Sequence, residues 1–140
     1  SIINLSKYSK MWLSKKVTNY LLEQPNLKIG VLGLAYKENT NSTKNSPALL
    51  FLNNIKKQKV KVYDPLVKNI NLNNIIETSS AYEAAEDSDL LVIATPFKEF
   101  KDLDYKALKS KMVGNIIIDP YKLLYNRALL KLGFKHHFLG

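Results

Sequence analysis

With 140 residues and 46% apolar side chains, the chain is long enough to bury one core and too apolar for a disordered segment. Its 20 lysines, single arginine and net charge of +9 favour anionic partners. The lysines are scattered, however, and a dedicated nucleic-acid binder would use arginine forks, so nucleic acid is not the expected partner. The lack of cysteine excludes disulfides, thiolate metal sites and thiol nucleophiles, and no apolar run approaches the ~18 residues of a membrane span. With no signal-peptide pattern at the N-terminus, the expected setting is the cytoplasm, without a membrane partner.

Leu5, Tyr8, Trp12, Leu13, Val17, Tyr20 and Leu21 recur with helical periodicity and predict an amphipathic helix over 5–22. Lys7, Lys10, Lys15 and Lys16 take its wetter faces, and Pro25 and Asn26 end it. LKIGVLGLA (27–35) reads as a strand apolar on both faces. After a polar loop, Ser46 suits a helix N-cap and Pro47 the first helical position. Ala48, Phe51, Leu52 and Ile55 then supply a helical stripe ending near Gln58. KVKVYDP (59–65) is a second strand, stopped by Pro65, and NIIETSS (74–80) a short third. AYEAAED (81–87) is a short helix and DLLVIATP (89–96) another wholly apolar strand. DYKALKSKM (104–112) is a helix, NIIIDP (115–120) a strand, NRALLKL (126–132) a helix closed by Gly133, and FKHHFLG a final strand. Strands apolar on both faces, alternating with helices, call for a doubly wound α/β fold: a mainly parallel sheet in three α/β/α layers, preceded by a linking helix.

In such a fold, ligands sit beyond the carboxyl ends of the strands. The sequence places Ala35–Lys37, Asp64, Thr95–Phe97 and Asp119–Lys122 there. GVLGLA contains a fragment of a dinucleotide-binding turn, but that turn needs its helix to begin at once, and thirteen positions separate Gly33 from Ser46. Gly30 then serves close packing, and Asp64 is expected to be a turn or cap residue. The loop has its own chemistry. Lys37 stands just past the strand, Lys44 just before the N-cap where the helix dipole favours an anion, and hydroxyl and amide side chains fill the space between. His136 and His137 lack acidic or cysteine partners at metal-ligand spacing, so no metal site is expected. Asp102 and Asp104 are expected to cap the helix that starts near Tyr105. Tyr8, Trp12 and Tyr20 are expected in the core or at an interdomain surface.

The loop and its neighbours carry a resemblance. GLAYKENTNSTKNSPAL (33–49) resembles the segment GLAFKPNTDDxRESPAL of the UDP-glucose/GDP-mannose dehydrogenase family, in its C-terminal nucleotide-sugar-binding domain. VYDP (62–65), residues 81–112 and NIIIDPYKLLYNRALLKLGFKHHFLG (115–140) are similar to later segments of that domain, in order. The resemblance implies that 1–25 ends an interdomain helical region and that 26–140 is a Rossmann-like nucleotide-sugar-binding domain. It further implies an NAD-dependent enzyme that oxidises the C6 alcohol of a nucleotide-sugar to a carboxylate in two steps. The acidic sugars made would serve surface polysaccharide. A UDP-sugar is expected in preference to a GDP-sugar, and the whole enzyme is expected to be a homodimer or larger.

In the family, NAD is held mainly by an N-terminal domain, and a cysteine from the middle of the chain forms the covalent intermediate. This chain has no cysteine, so the resemblance implies a binding fragment that is inactive alone, with no catalytic residue of its own. Tyr36 and Lys37 stand at the family's substrate-contacting Phe-Lys pair. Lys44 replaces the arginine that reaches the NAD phosphates, keeping the charge without the fork. The family's second substrate arginine falls on Tyr121, with Lys122 beside it, and which of the two takes its place stays open. A stand-alone nucleotide-binding or regulatory module without catalysis is the alternative reading.

Overall fold

The computed structural model describes residues 3–139, with side chains from Tyr8 onward, so the side chains of Leu5 and Lys7 lie outside the described residues. The two runs with no polar side chain, IGVL and LLVI, become the centre of one sheet, as strands buried on both faces must. They are β1 (Ile29–Leu32) and β4 (Leu90–Ile93), paired in parallel with Ile29 opposite Leu90 and Leu32 opposite Ile93. Outside them lie β2 (Val60–Tyr63) and β3 (Ile75–Glu77) on one side, and β5 (Ile116–Asp119) and β6 (Lys135–Phe138) on the other. The strand order is β3-β2-β1-β4-β5-β6 and every neighbouring pair is parallel. The fold is therefore the doubly wound α/β class, with its switch in strand order between β1 and β4.

The helices cover the sheet. α1 (Ile3–Glu23) packs beside α2 (Pro47–Asn53), and its Leu13 and Val17 are buried in the same core as the strands. α3 (Ala81–Ala85) packs on β1 and β2 and against α5 (Tyr105–Lys111). Gly30 is what allows the first of these contacts. A Cβ at position 30 would stand 2.5 Å from the carbonyl oxygen of Ala84. No described helix is long and apolar enough to cross a membrane.

The caps form as their residue types dictate. Ser46 accepts from Leu49 N with Pro47 at the first helical position, Ser80 accepts from Glu83 N, and Asp104 accepts from Ala107 N at 3.1 Å. Asp102 does not cap α5. It closes α4 (Lys98–Lys101), a one-turn helix that the sequence reading lacks, and lies 3.9 Å from Lys98 Nζ.

Two helices are shorter than their periodicity predicts. α2 stops at Asn53, and tight i→i+3 turns carry the chain to Gln58, still burying Ile55. The predicted helix at 126–132 is a 3₁₀ turn (Tyr125–Arg127) followed by further tight turns. Ala128 adopts a left-handed φ of 52°, which breaks the helical path, buries Leu129 and leaves Leu130 exposed.

Candidate functional site

Beyond the carboxyl end of β1 the chain leaves the sheet, so its backbone polar groups need other partners if they stay buried. Leu34 and Ala35 find them in three buried side chains. Asp64, at the end of β2, accepts from Leu34 N at 2.6 Å and Ala35 N at 3.0 Å through Oδ2. Ser46 Oγ donates to Leu34 O at 2.7 Å, and Thr95 Oγ1, past the end of β4, donates to Ala35 O at 2.9 Å. Asp64 Oδ1 accepts from Leu66 N and Val67 N, both at 2.8 Å, so the carboxylate is a turn residue, as expected. Gly33 makes room for this arrangement with a φ of +99°, and a Cβ there would stand 2.5 Å from Thr95 Cβ. The two amides that follow Gly33 are thus committed to the Asp64 carboxylate.

The loop that follows is folded on itself. Tyr36 N donates to Ser42 O at 2.6 Å, Ser46 N donates to Thr43 O at 3.0 Å, and Asn39 and Asn45 take left-handed φ values of 61° and 60°. Asparagine tolerates that conformation better than most residues. The loop presents Tyr36, 44% exposed, and the exposed Lys37 and Lys44, neither of which makes an ion pair among the described residues.

A second arm comes from the carboxyl end of β5. Asp119 is fully buried and accepts from Leu123 N at 3.0 Å and Leu124 N at 2.9 Å, which folds the segment carrying Tyr121 and Lys122. The Tyr121 hydroxyl is pushed up to about 12, first by burial and then by the negative charge of Glu38. It therefore stays protonated near neutral pH. Lys122 has a left-handed φ of 59°, and its ammonium lies 4.8 Å from the Tyr125 ring centre and 5.1 Å from that of Phe138. Tyr36 and Lys37 thus stand on the loop, Lys44 at its far end before α2 and Tyr121 on the turn after β5, while Lys122 is engaged by two rings.

The histidines were expected to lack acidic or cysteine partners at metal-ligand spacing, and the fold gives His136 one carboxylate neighbour. Its Nε2 lies 3.0 Å from Asp119 Oδ2 with both side chains almost wholly buried. Seventeen positions separate the two, and only the pairing of β5 with β6 joins them. His137, whose side chain meets α1, has its Nε2 2.6 Å from the Tyr20 hydroxyl. Among the described residues no three His, Cys, Asp or Glu side chains cluster as metal ligands.

A doubly wound parallel sheet with a rigidly anchored cationic loop and a tyrosine-bearing turn at its carboxyl edge defines a Rossmann-like ligand-binding domain. The sequence model described as the UDP-glucose/GDP-mannose dehydrogenase family, UDP binding domain, matches residues 30–126, and the chain belongs to that family. It is 36% identical over 121 residues to the UDP-glucose 6-dehydrogenase of Rickettsia typhi, covering 80% of this chain and 27% of that protein. It is 39% identical over 110 residues to the UDP-N-acetyl-D-mannosamine dehydrogenase of Pyrococcus horikoshii, covering 74% of this chain and 25% of that protein. The solved UDP-D-ManNAc dehydrogenase from Pyrococcus horikoshii superposes on 90% of this chain and 29% of its own, with a TM-score of 0.72 and 32% identity. The chain spans about a quarter of the length of the curated relatives it matches, at 27% and 25%.

Proposed function

We propose that these 140 residues form the nucleotide-sugar-binding domain of an NAD-dependent nucleotide-sugar 6-dehydrogenase of the UDP-glucose type, acting in the cytoplasm to supply acidic sugars for polysaccharide. The observation that carries this reading is the loop GLAYKENTNSTKNSPAL at the carboxyl end of β1, with its lysines free of ion pairs among the described residues and its root buried. Lys37 supplies positive charge to the ligand's diphosphate and Tyr36 supplies a ring for packing. Tyr121, protonated at any working pH, donates a hydrogen bond where the family has an arginine. Lys122 adds charge nearby only by leaving its two aromatic partners.

The chemistry needs a thiolate to add to the aldehyde intermediate and a hydride acceptor, and neither comes from this chain. The slot of an ordinary pyrophosphate turn is filled by Asp64, so these residues do not make an NAD site by themselves. Lys44 is the one group assigned to reach the cofactor's phosphates. The chain alone is therefore inactive in hydride transfer. Residues 1–25 form the end of an interdomain helical region and 26–140 the binding domain. The complete protein is a homodimer or larger, whose remainder covers the exposed Tyr8, Met11 and Leu22 of α1.

Calorimetric titration of the complete protein with UDP-glucose tests the reading, with GDP-mannose as comparator. Saturable, stoichiometric binding of the UDP-sugar is the expected result. Heat changes no larger than ligand dilution for both would end it.

A further inference from the structure

Leu34 and Ala35 offer four backbone hydrogen-bonding groups, and all four are taken by side chains from three different elements. Both amides go to Asp64 Oδ2, at 2.6 and 3.0 Å, while the two carbonyls receive Ser46 Oγ at 2.7 Å and Thr95 Oγ1 at 2.9 Å. The three side chains are 2%, 1% and 0% exposed. A loop leaving a strand could satisfy the same groups with water and stay free to swing. Here the exit direction is fixed in a dry environment, where breaking any one bond leaves a buried polar group unpaired.

We infer that Asp64, Thr95 and Ser46 are positioning residues for ligand binding, which by clamping Leu34–Ala35 hold the adjoining Tyr36 and Lys37 in their binding geometry before the ligand arrives. The inference rests on the functional reading above. Asp64 spends both oxygens on four backbone amides, and the Ser46 and Thr95 hydroxyls both donate to the backbone, so all three act through the loop. Gly33 belongs to the device, because any Cβ there would displace Thr95. A pre-set loop lowers the ordering cost that binding would otherwise carry.

Thr95→Val removes the hydroxyl at nearly constant volume, and Thr95→Ser restores it. Three quantities are read on the complete protein: the mobility of the Tyr36 and Lys37 amides by ¹⁵N relaxation, the affinity for UDP-glucose, and the urea midpoint. The expected result for Thr95→Val is greater amide mobility and affinity weakened about five-fold or more at temperatures where it stays folded. Thr95→Ser should restore both. Ser46→Ala, which frees Leu34 O, repeats the measurement should Thr95→Val fail to fold. Unchanged mobility and unchanged affinity in a folded variant would overturn the clamp, as would an affinity loss that merely tracks the unfolded fraction. A wild-type chain that ignores UDP-glucose would instead overturn the functional reading beneath it, and the relaxation data distinguish the two failures.

Discussion

The hydroxyl of Tyr20 and Nε2 of His137 stand 2.6 Å apart and tie the first helix of the chain to its last strand. Burial holds the His137 imidazole below its ordinary value of 6.5, helped by the positive charges of Lys16 and Lys135. Folding therefore disfavours the imidazolium. Above the ordinary value both folded and unfolded forms are neutral and the contact carries no proton penalty. As pH falls through that value the unfolded chain takes up a proton first, so stability falls with pH until the folded imidazole also titrates. Urea midpoints between about pH 8 and about pH 5 should show this decline, and His137→Gln should make it shallower. Identical slopes for the two proteins would remove His137 from the pH response.

Lys37 and Lys44 occupy one loop but are assigned different ligands. Lys37→Ala should weaken UDP-sugar binding to the complete protein by at least several-fold, and added salt should narrow the gap between variant and wild type. Lys44→Ala should leave UDP-sugar affinity near wild type and raise the KM for NAD. Calorimetry and steady-state kinetics read both effects. Unchanged sugar affinity in Lys37→Ala would take that lysine out of the site.

Tyr121 and Lys122 are neighbours with divergent surroundings. Tyr121→Phe removes a hydroxyl assigned to the ligand and should weaken UDP-sugar binding. Lys122→Ala removes an ammonium held over Tyr125 and Phe138, so its main effect should be a stability loss of about 0.5–1 kcal/mol. The opposite order, with Lys122→Ala the more damaging to affinity, would transfer the family arginine's role to the lysine.

Gly30→Ala tests the packing of α3 on β1. The added methyl meets the Ala84 carbonyl oxygen, a backbone atom that cannot rotate aside, so the helix must retreat from the sheet. Chemical denaturation should show a loss of about 1–3 kcal/mol. A variant as stable as wild type would mean that α3 has slack on the sheet.

NAD gives a further check. With the amides of Leu34 and Ala35 committed to Asp64, the chain by itself should bind NAD weakly at most. Tight, stoichiometric binding in a calorimeter would place a dinucleotide site where the hydrogen bonds leave no room for one.

Much of the fold was legible because burial on both faces leaves so few choices. IGVL and LLVI contain nothing that belongs in water, and Ser46-Pro47 and Asp104 announce helix starts by local chemistry alone. The helix at 126–132 was misread because apolar periodicity reports which side chains want burial, and tight turns around a left-handed Ala128 also bury Leu129. α4 was missed because one turn is too short to show a period. The carboxylate neighbour of His136 left no trace in residue spacing, because only the pairing of β5 with β6 brings Asp119, two residues beyond its register partner Ile117, to the imidazole.

The alternation of strands and helices, the two wholly apolar strands, the lysine-bearing loop and its place at the carboxyl edge were all legible in residue order. These depend on local pattern, turn chemistry and the rule that such sheets bind at that edge. Only the tertiary structure decided that Asp64, Ser46 and Thr95 converge on one dipeptide, and that Lys122 goes to two rings. Those outcomes depend on strand order and on the backbone angle at single residues, neither of which leaves a trace in residue spacing. Convergence of distant side chains is a property of the folded sheet.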